Sequence, residues 1–501
     1  MGPLYVKDNI AYKSLCRLAR LTALTCCLWP LSSAAVAGSL YLPLQLAPEI
    51  EARIERLFVL ANVPIIKRPI PIKEVQRAIE LAGDRDPALV NSVRLYLERY
   101  APRANITHFS AYGSYSEGDA VVLPNKRGID TNSEYFVSLA GHSILTDWLA
   151  VNYAGMVGER DNQRKSDFYD GHFLSIGHDY VQVDIGFRPH WFGPFQESDM
   201  LISTQAGSMP GVTVSNVVPL PLFNLRYEVF LAQMSESDQI RSRDRETVVT
   251  GRPKLFGMHL SAEPLPGIAI GINRLMQYGG GDRSESASDL AQAFFNPKAN
   301  DNIGASEGRD FGNQLSSITT RYTFSGKFPA SVYMEYAGED TSASSGIHFG
   351  NSALMFGLHL PKLGQDLDLS YEFAQWQNAW YTNGNYNFGE QAAYPGLSNY
   401  GAILGHWGAN YREPLHAIGA EAHMLKLIWD IRPGSALTSV YRQVDNEALS
   451  AADVARGYQQ AQELSLEYSH AWGKFIVGMK TLFGEDIFGE SYGTVSGFIR
   501  W

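Results

Sequence analysis

Two segments carry side chains whose types and spacing suit ligand recognition rather than bond-breaking chemistry. Residues 378–414 gather Trp380, Tyr381, Tyr386, Tyr394, Tyr400 and Trp407 with Asn383, Asn385, Asn387 and His406. Flat aromatic faces beside amide donors fit sugar rings, which offer apolar C–H faces and hydroxyl rims. An aromatic girdle at a membrane surface would use several of the same residues with no ligand at all. The second segment is Arg188-Pro189-His190-Trp191-Phe192-Gly193-Pro194, followed by Leu201-Ile202-Ser203-Thr204. A Trp-Phe pair fixed between two prolines is costly to expose. It is expected to fold inward, packing against a wall or presenting Trp191 to the same ligand.

Catalytic constellations are missing from the sequence. His142, His172, His178 and His190 have no serine in a nucleophile setting to serve. His406 and His416 lack the spacing of paired metal ligands. Gly279-Gly280-Gly281 imitates a phosphate loop, but no Lys follows and none of the expected helices does. In 234–252, Arg241, Arg243, Arg245 and Arg252 are offset by Glu236, Asp238, Asp244 and Glu246, the pattern of a solvated loop. No catalytic residue, metal site or cofactor is expected.

The elements that must position these segments are strands. Phe223, Leu225, Tyr227, Val229 and Leu231 alternate with Asn224, Arg226 and Glu228. The same period recurs in Ile318–Phe324, in Leu367–Phe373 and in the last twelve residues, which end on Trp501. Alternation gives each strand one apolar and one polar face. Many such segments of roughly ten residues, joined alternately by short turns and long loops, mark a membrane β-barrel. Aromatics at 12%, 46 glycines and only 19% charged residues agree with that class. Topology demands an even strand number, and eighteen strands between 107 and 501 place every short connection on one side. The long ones (188–210, 234–252, 278–312, 378–414, 445–459) then share the other side.

Residues 1–37 read as a signal peptide: Lys13, Arg17 and Arg20 precede an apolar stretch, and Ala35-Val36-Ala37 is a cleavage pattern. All three cysteines (Cys16, Cys26, Cys27) fall there, so a processed chain would have no thiol chemistry. Its formal charge would be 37 minus 51, or −14, against −11 for the whole chain, which argues against nucleic acid as a partner. Residues 38–106 read as a periplasmic helical bundle, with apolar positions at helical spacing after Pro48, from Ile72 to Ala82, and after Pro87. Residues 107–501 are the outer-membrane barrel.

The segment Arg188–Pro194 with Leu201–Thr204 resembles the signature of the capsule assembly Wzi family. Asn273-Arg274 through Gly280, Asp301-Asn302, Gly312-Asn313-Gln314-Leu315, Gly338-Glu339-Asp340 and Leu404-Gly405-His406-Trp407 continue the resemblance in order. It implies an eighteen-stranded outer-membrane barrel with a periplasmic helical bundle, and a lectin-like role in anchoring surface polysaccharide. Phe192 departs from the pattern, where many members are expected to carry a second Trp.

The functional expectation is a non-enzymatic barrel that binds capsular or exopolysaccharide through Trp380, Tyr381, Tyr386, His406, Trp407 and Trp191. Arg188, Pro189, Phe192, Gly193, Pro194, Asn313 and Gln314 are expected to shape the loops. The alternative is a porin for sugars or small anions, with Arg226, Glu228, Arg321, Glu335 and Glu372 lining an aqueous lumen. Further expected partners are outer-membrane lipid and lipopolysaccharide, and the barrel-assembly machinery acting on the C-terminal strand. The lumen is expected to be closed from outside by 188–210 and 278–312, and from below by 47–100.

Overall fold

The computed structural model describes residues 40–501, apart from 45, positions scattered between 119 and 132, 161–163, 169, 245, 296–310, 342–348, 365, 389–395, 411–416 and 448–456. The proposed signal peptide and its cysteines lie outside the described residues, as does Tyr394.

Strands from Ala104–Glu117 to Ser491–Arg500 pair antiparallel with their neighbours around one sheet. The first and last of them pair with each other, Ser110 opposite Arg500, so the sheet closes. Arg164–Phe168 and His172–His178 both pair with Leu149–Arg160 and share one wall position. The nineteen strands of the sheet therefore make eighteen wall positions. Closure removes every open edge, the condition for a sheet in lipid.

Alternation decides which way each side chain faces. Along Lys254–Leu265, Leu255, His259 and Ser261 are buried inward, while Leu260 is exposed outward. Ile270, Ile272, Ile318, Phe356 and Leu425 extend the outward apolar band. In water such a band would be an aggregation liability; in a bilayer it meets its own kind. Exposed Trp148, Phe223, Phe328, Trp429 and Trp472 ring the end with the short turns, as an interfacial girdle does.

Among the described residues three α-helices precede the barrel: α1 (Pro48–Leu60), α2 (Ile72–Ala82) and α3 (Pro87–Leu97). Pro begins α1 and α3, where its missing N–H costs nothing, and Asp86 caps α3 by accepting from the Leu89 N–H at 3.1 Å. Ile54, Leu57, Phe58, Val75, Ala78 and Val93 form their shared core, which also takes in Ile144 and Ala150 from the barrel wall. A bundle this small needs that wall to complete its core. It is tied to the short-turn end, where Lys362 lies 3.4 Å from Asp86 and Lys73 pairs with Asp179.

Two departures from the sequence reading concern the long loops. Segment 278–312 is not a plug in its described part. A fourth helix, α4 (Ala287–Phe295), follows the Gly279–Gly281 turn and packs on the outside of the wall. The lumen is instead filled from outside by 188–210 together with 378–414, whose buried residues form one cluster from Phe192 to Trp407.

Candidate functional site

Wall charges hold the plug. The Glu335 carboxylate accepts the Met200 N–H at 2.8 Å, and Glu372 accepts the N–H groups of Gln196 and Glu197 at 2.7 and 3.2 Å. Glu228 accepts both terminal nitrogens of Arg188 at 2.8 and 2.9 Å, His190 at 2.8 Å and Lys67 at 3.2 Å. Arg188 Nε also lies 2.8 Å from Asp184. The inward charges that could have lined an aqueous pore are thus spent on hydrogen bonds to buried backbone and side chains. Buried ionic groups persist only when paired in this way.

Within the plug, Phe192 packs between Phe230 and His259, so its apolar ring fills a dry site. Gly193 has no room for a side chain, because a Cβ there would overlap the Asp199 carboxylate. Pro189 and Pro194 are buried beside it. Trp191 is 1% exposed and lies under the Arg68 guanidinium, 5.4 Å from its ring centroid. Among the described residues no cation or side-chain donor pairs with the buried Asp199 carboxylate. Burial, then the neighbouring Glu335 carboxylate, pushes the Asp199 carboxyl well above the usual range.

The aromatic loop belongs to the same core, so the rings expected to contact polysaccharide are buried. Trp380, Tyr381 and Trp407 are 2%, 0% and 2% exposed, and Tyr386 and His406 are buried as well. The Tyr381 hydroxyl donates to the Met200 carbonyl and accepts the His406 N–H at 2.8 Å. Trp407 lies beside the Arg442 guanidinium at 5.2 Å, and burial holds the His406 imidazole neutral, down to about 3. Ser198, Ser203 and Gln205 all donate to the Gly405 carbonyl, at 2.9, 2.7 and 2.9 Å. Trp380, Tyr381 and Trp407 stack within the plug, while Tyr386 also borders an open cleft. Of the other motif residues, Asn313 is buried and contacts Glu339, while Gln314 faces outward and accepts from Arg274 at 2.6 Å.

An open cleft of about 250 Å³ remains at the long-loop end, between the hairpin Ser237–Gly251 and the aromatic loop. Tyr386 and Tyr400 of the aromatic segment line it, together with Gln233, Ser235, Gln277 and Asn399, which sequence reasoning did not assign to a site. Tyr400 is 63% exposed at a φ of 51°, its N–H donating to Ser235 Oγ at 2.8 Å. Asn399 fixes that corner by accepting the Ser235 N–H and donating to the Gly207 carbonyl, both at 2.8 Å. Gln277 donates to the Gly396 carbonyl at 2.9 Å, and its buried Oε1 has no partner among the described residues. Arg252 pairs with Glu236 at 3.4 Å on the rim. Tyr386 and Tyr400 were visible beforehand, as aromatic residues of a long loop; the polar residues around them were not.

The sequence model of the capsule assembly protein Wzi matches residues 113–480, well over half of the chain. The chain belongs to the Wzi family. With that membership, the apolar band is the wall of a bacterial outer-membrane barrel. The solved structure of Wzi from Escherichia coli matches 93% of this chain and 99% of its own, with a TM-score of 0.65 and 14% identity. That protein is described as an outer-membrane protein involved in group 1 capsule assembly and a carbohydrate-binding β-barrel. At this identity the likeness carries the fold. A Klebsiella pneumoniae relative, an uncharacterized 55.8 kDa protein of the cps region, is 22% identical over 288 residues, 55% of this chain. The match spans 53% of that relative, about half its length. The Wzi family is one of capsule assembly barrels, not an enzyme family.

Proposed function

We propose that this Wzi-family chain is a non-enzymatic, lectin-like barrel that holds capsular or exopolysaccharide at the cell surface through the Tyr400 cleft. The observation that carries this reading is the exposed ring of Tyr400 in a cleft that the side-chain amides of Gln233 and Gln239 and the hydroxyl of Ser235 also line. A sugar supplies both complements, a C–H face for the ring and hydroxyls for the polar rim. The cleft is smaller than the ~300 Å³ at which drug-sized pockets begin, so it suits a ring or two of a polymer. Weak single contacts then add up along a chain that touches many barrels. The E. coli relative, described as carbohydrate-binding, supports the same reading. Lipopolysaccharide around the wall, the assembly machinery at the C-terminal strand and export by a cleaved 1–37 segment complete the proposal. Tyr400→Ala should shift polysaccharide from the cell-bound fraction to the medium while total synthesis stays constant. Unchanged retention by a folded Tyr400→Ala barrel would sink the cleft as the binding surface.

The porin alternative has one observation in its favour. A chamber of about 240 Å³ lies along the closing strands, lined by Lys426, Lys480, Ser496 and Arg500 among others. Planar-bilayer recordings separate the readings, since large stable channels from the intact chain would favour diffusion through the lumen.

A further inference from the structure

We infer that α4 is a membrane-interface anchor, docked on the outer wall of the barrel and inserting Phe295 among the acyl chains of the outer leaflet. The inference stands independently of the polysaccharide reading.

Register fixes the side of the wall on which α4 lies. Phe256 pairs with Met276 across the sheet, Met258 with Arg274 and Lys254 with Tyr278, so these residues share one face. Their chain neighbours Leu255, His259 and Gln277 are buried inward, which leaves Phe256, Arg274, Met276 and Tyr278 on the lipid side. α4 contacts that lipid-side set. Phe294 meets Phe256 edge-on at 5.9 Å, and Ala293 joins the buried cluster of Met276 and Tyr278. Arg274 donates to the Phe294 and Ala293 carbonyls at 2.6 and 3.0 Å. It thereby caps the C-terminal end of the helix, where carbonyls lack partners and a cation is favoured.

The local sequence builds this placement. Gly279, Gly280 and Gly281 all have positive φ and turn the chain over the rim. Ser286 caps the helix start by accepting the Asp289 N–H at 3.1 Å, and Lys254 pairs with Glu285 at 2.5 Å. Both terminal nitrogens of Arg274 and the ammonium of Lys254 are therefore already engaged by protein.

Depth comes from the wall itself. On two neighbouring strands Arg274 pairs with Ser316, and the next outward pair is Ile272 with Ile318, both exposed. The apolar band thus begins one step below Arg274, where α4 ends. Phe295 is 82% exposed at that level. An apolar ring that no described residue covers, beside a continuous lipid-facing surface, is fitted by the edge of the acyl layer.

The test uses the full chain with Cys16, Cys26 and Cys27 replaced by Ser, reconstituted in phosphatidylcholine vesicles. Phe295→Cys carries an environment-sensitive fluorophore, with Ile272→Cys as the lipid reference and Glu246→Cys as the water reference. Nitroxide-labelled phosphatidylcholine and iodide serve as the two quenchers. The label at 295 should emit at shorter wavelength than that at 246 and show a lipid-to-iodide quenching ratio nearer that of 272. A ratio nearer that of 246 overturns the inference. Ala291→Cys, which keeps Phe295 and lies on an exposed part of the same helix, is read by the same criterion should Phe295→Cys fail to fold.

Discussion

Glu55 of α1 and Arg321 of the barrel wall meet inside the lumen, with carboxylate and guanidinium 3.1 Å apart. The other oxygen of Glu55 binds Arg68, which in turn donates to the Phe195 carbonyl of the plug at 2.9 Å. Arg68 also donates its backbone N–H to the Trp191 carbonyl at 3.0 Å. Wall, helical bundle and plug are thus joined through one buried carboxylate. The plug rests on the bundle as well as hanging from its own strands.

Glu55→Gln should therefore loosen all three parts together. Breaking a buried pair by removing one partner costs about 3–5 kcal/mol. Burial alone would raise the Glu55 carboxyl, but Arg68 and Arg321 outweigh it and hold the group at about 2. That lies below an unfolded value of about 4.3, so the stabilisation is present above that pH and is lost as pH falls through about 2. The temperature of the heat-modified mobility shift should drop in the variant at neutral pH and converge with the parent in strong acid. A difference that persists unchanged in acid would contradict the assignment.

Asp199 should show the opposite sign. Its carboxyl is raised by burial and by Glu335, so folding favours the protonated form. The contribution is complete below the unfolded value of about 3.9 and is lost as pH rises through the folded value. Asp199→Asn keeps the shape without the charge and should stabilise the barrel at neutral pH, the gain vanishing in acid. A variant less stable than the parent at neutral pH would show that the ionised carboxylate has an unseen role.

How much of this was legible beforehand follows the physics of each part. The wall was, because a strand between lipid and a filled lumen must alternate, and closure forces an even count. The inward fold of Arg188–Pro194 was too, since a Trp-Phe pair pinned by prolines has nowhere dry to go outside. Its moorings were not: Glu228, Glu335 and Glu372 are remote in sequence, and a lumen-facing carboxylate reads alike for a pore and for a plug. The rings of 378–414 were misplaced for a similar reason. Trp380, Tyr381 and Trp407 bear the same chemistry whether they stack on a sugar or on Met200 and Arg442. Only the descent of the loop into the lumen separates the two, and that depends on partners in 188–210. The dock of α4 left a fainter sign, three glycines before a helix ending in Phe-Phe.

Gly193→Ala tests the closeness of the plug. The added methyl would overlap the Asp199 carboxylate, and overpacking of this kind costs about 1–3 kcal/mol. Combining it with Asp199→Ser makes room for the methyl, so the two changes should be strongly non-additive. Simple additivity in thermal unfolding would mean that the segment adjusts elsewhere.

The last prediction separates a residue that builds the mouth from one that meets the ligand. Trp407 is buried beside Arg442 and within the cluster that runs through 188–210. Trp407→Ala opens a cavity, and truncating a buried aromatic costs about 3–5 kcal/mol, which should lower the unfolding temperature. It should also raise ion leakage across planar bilayers, because the plug loses its packing against the wall. Tyr400 has most of its ring in solvent, so Tyr400→Ala should leave both readouts at parental values. Its effect should appear only in retained polysaccharide, as a shift from cell-bound to released material. If Trp407→Ala keeps parental stability and conductance yet releases polysaccharide, the buried ring must swing outward to meet the polymer, and the cleft at Tyr400 is no longer needed to explain retention.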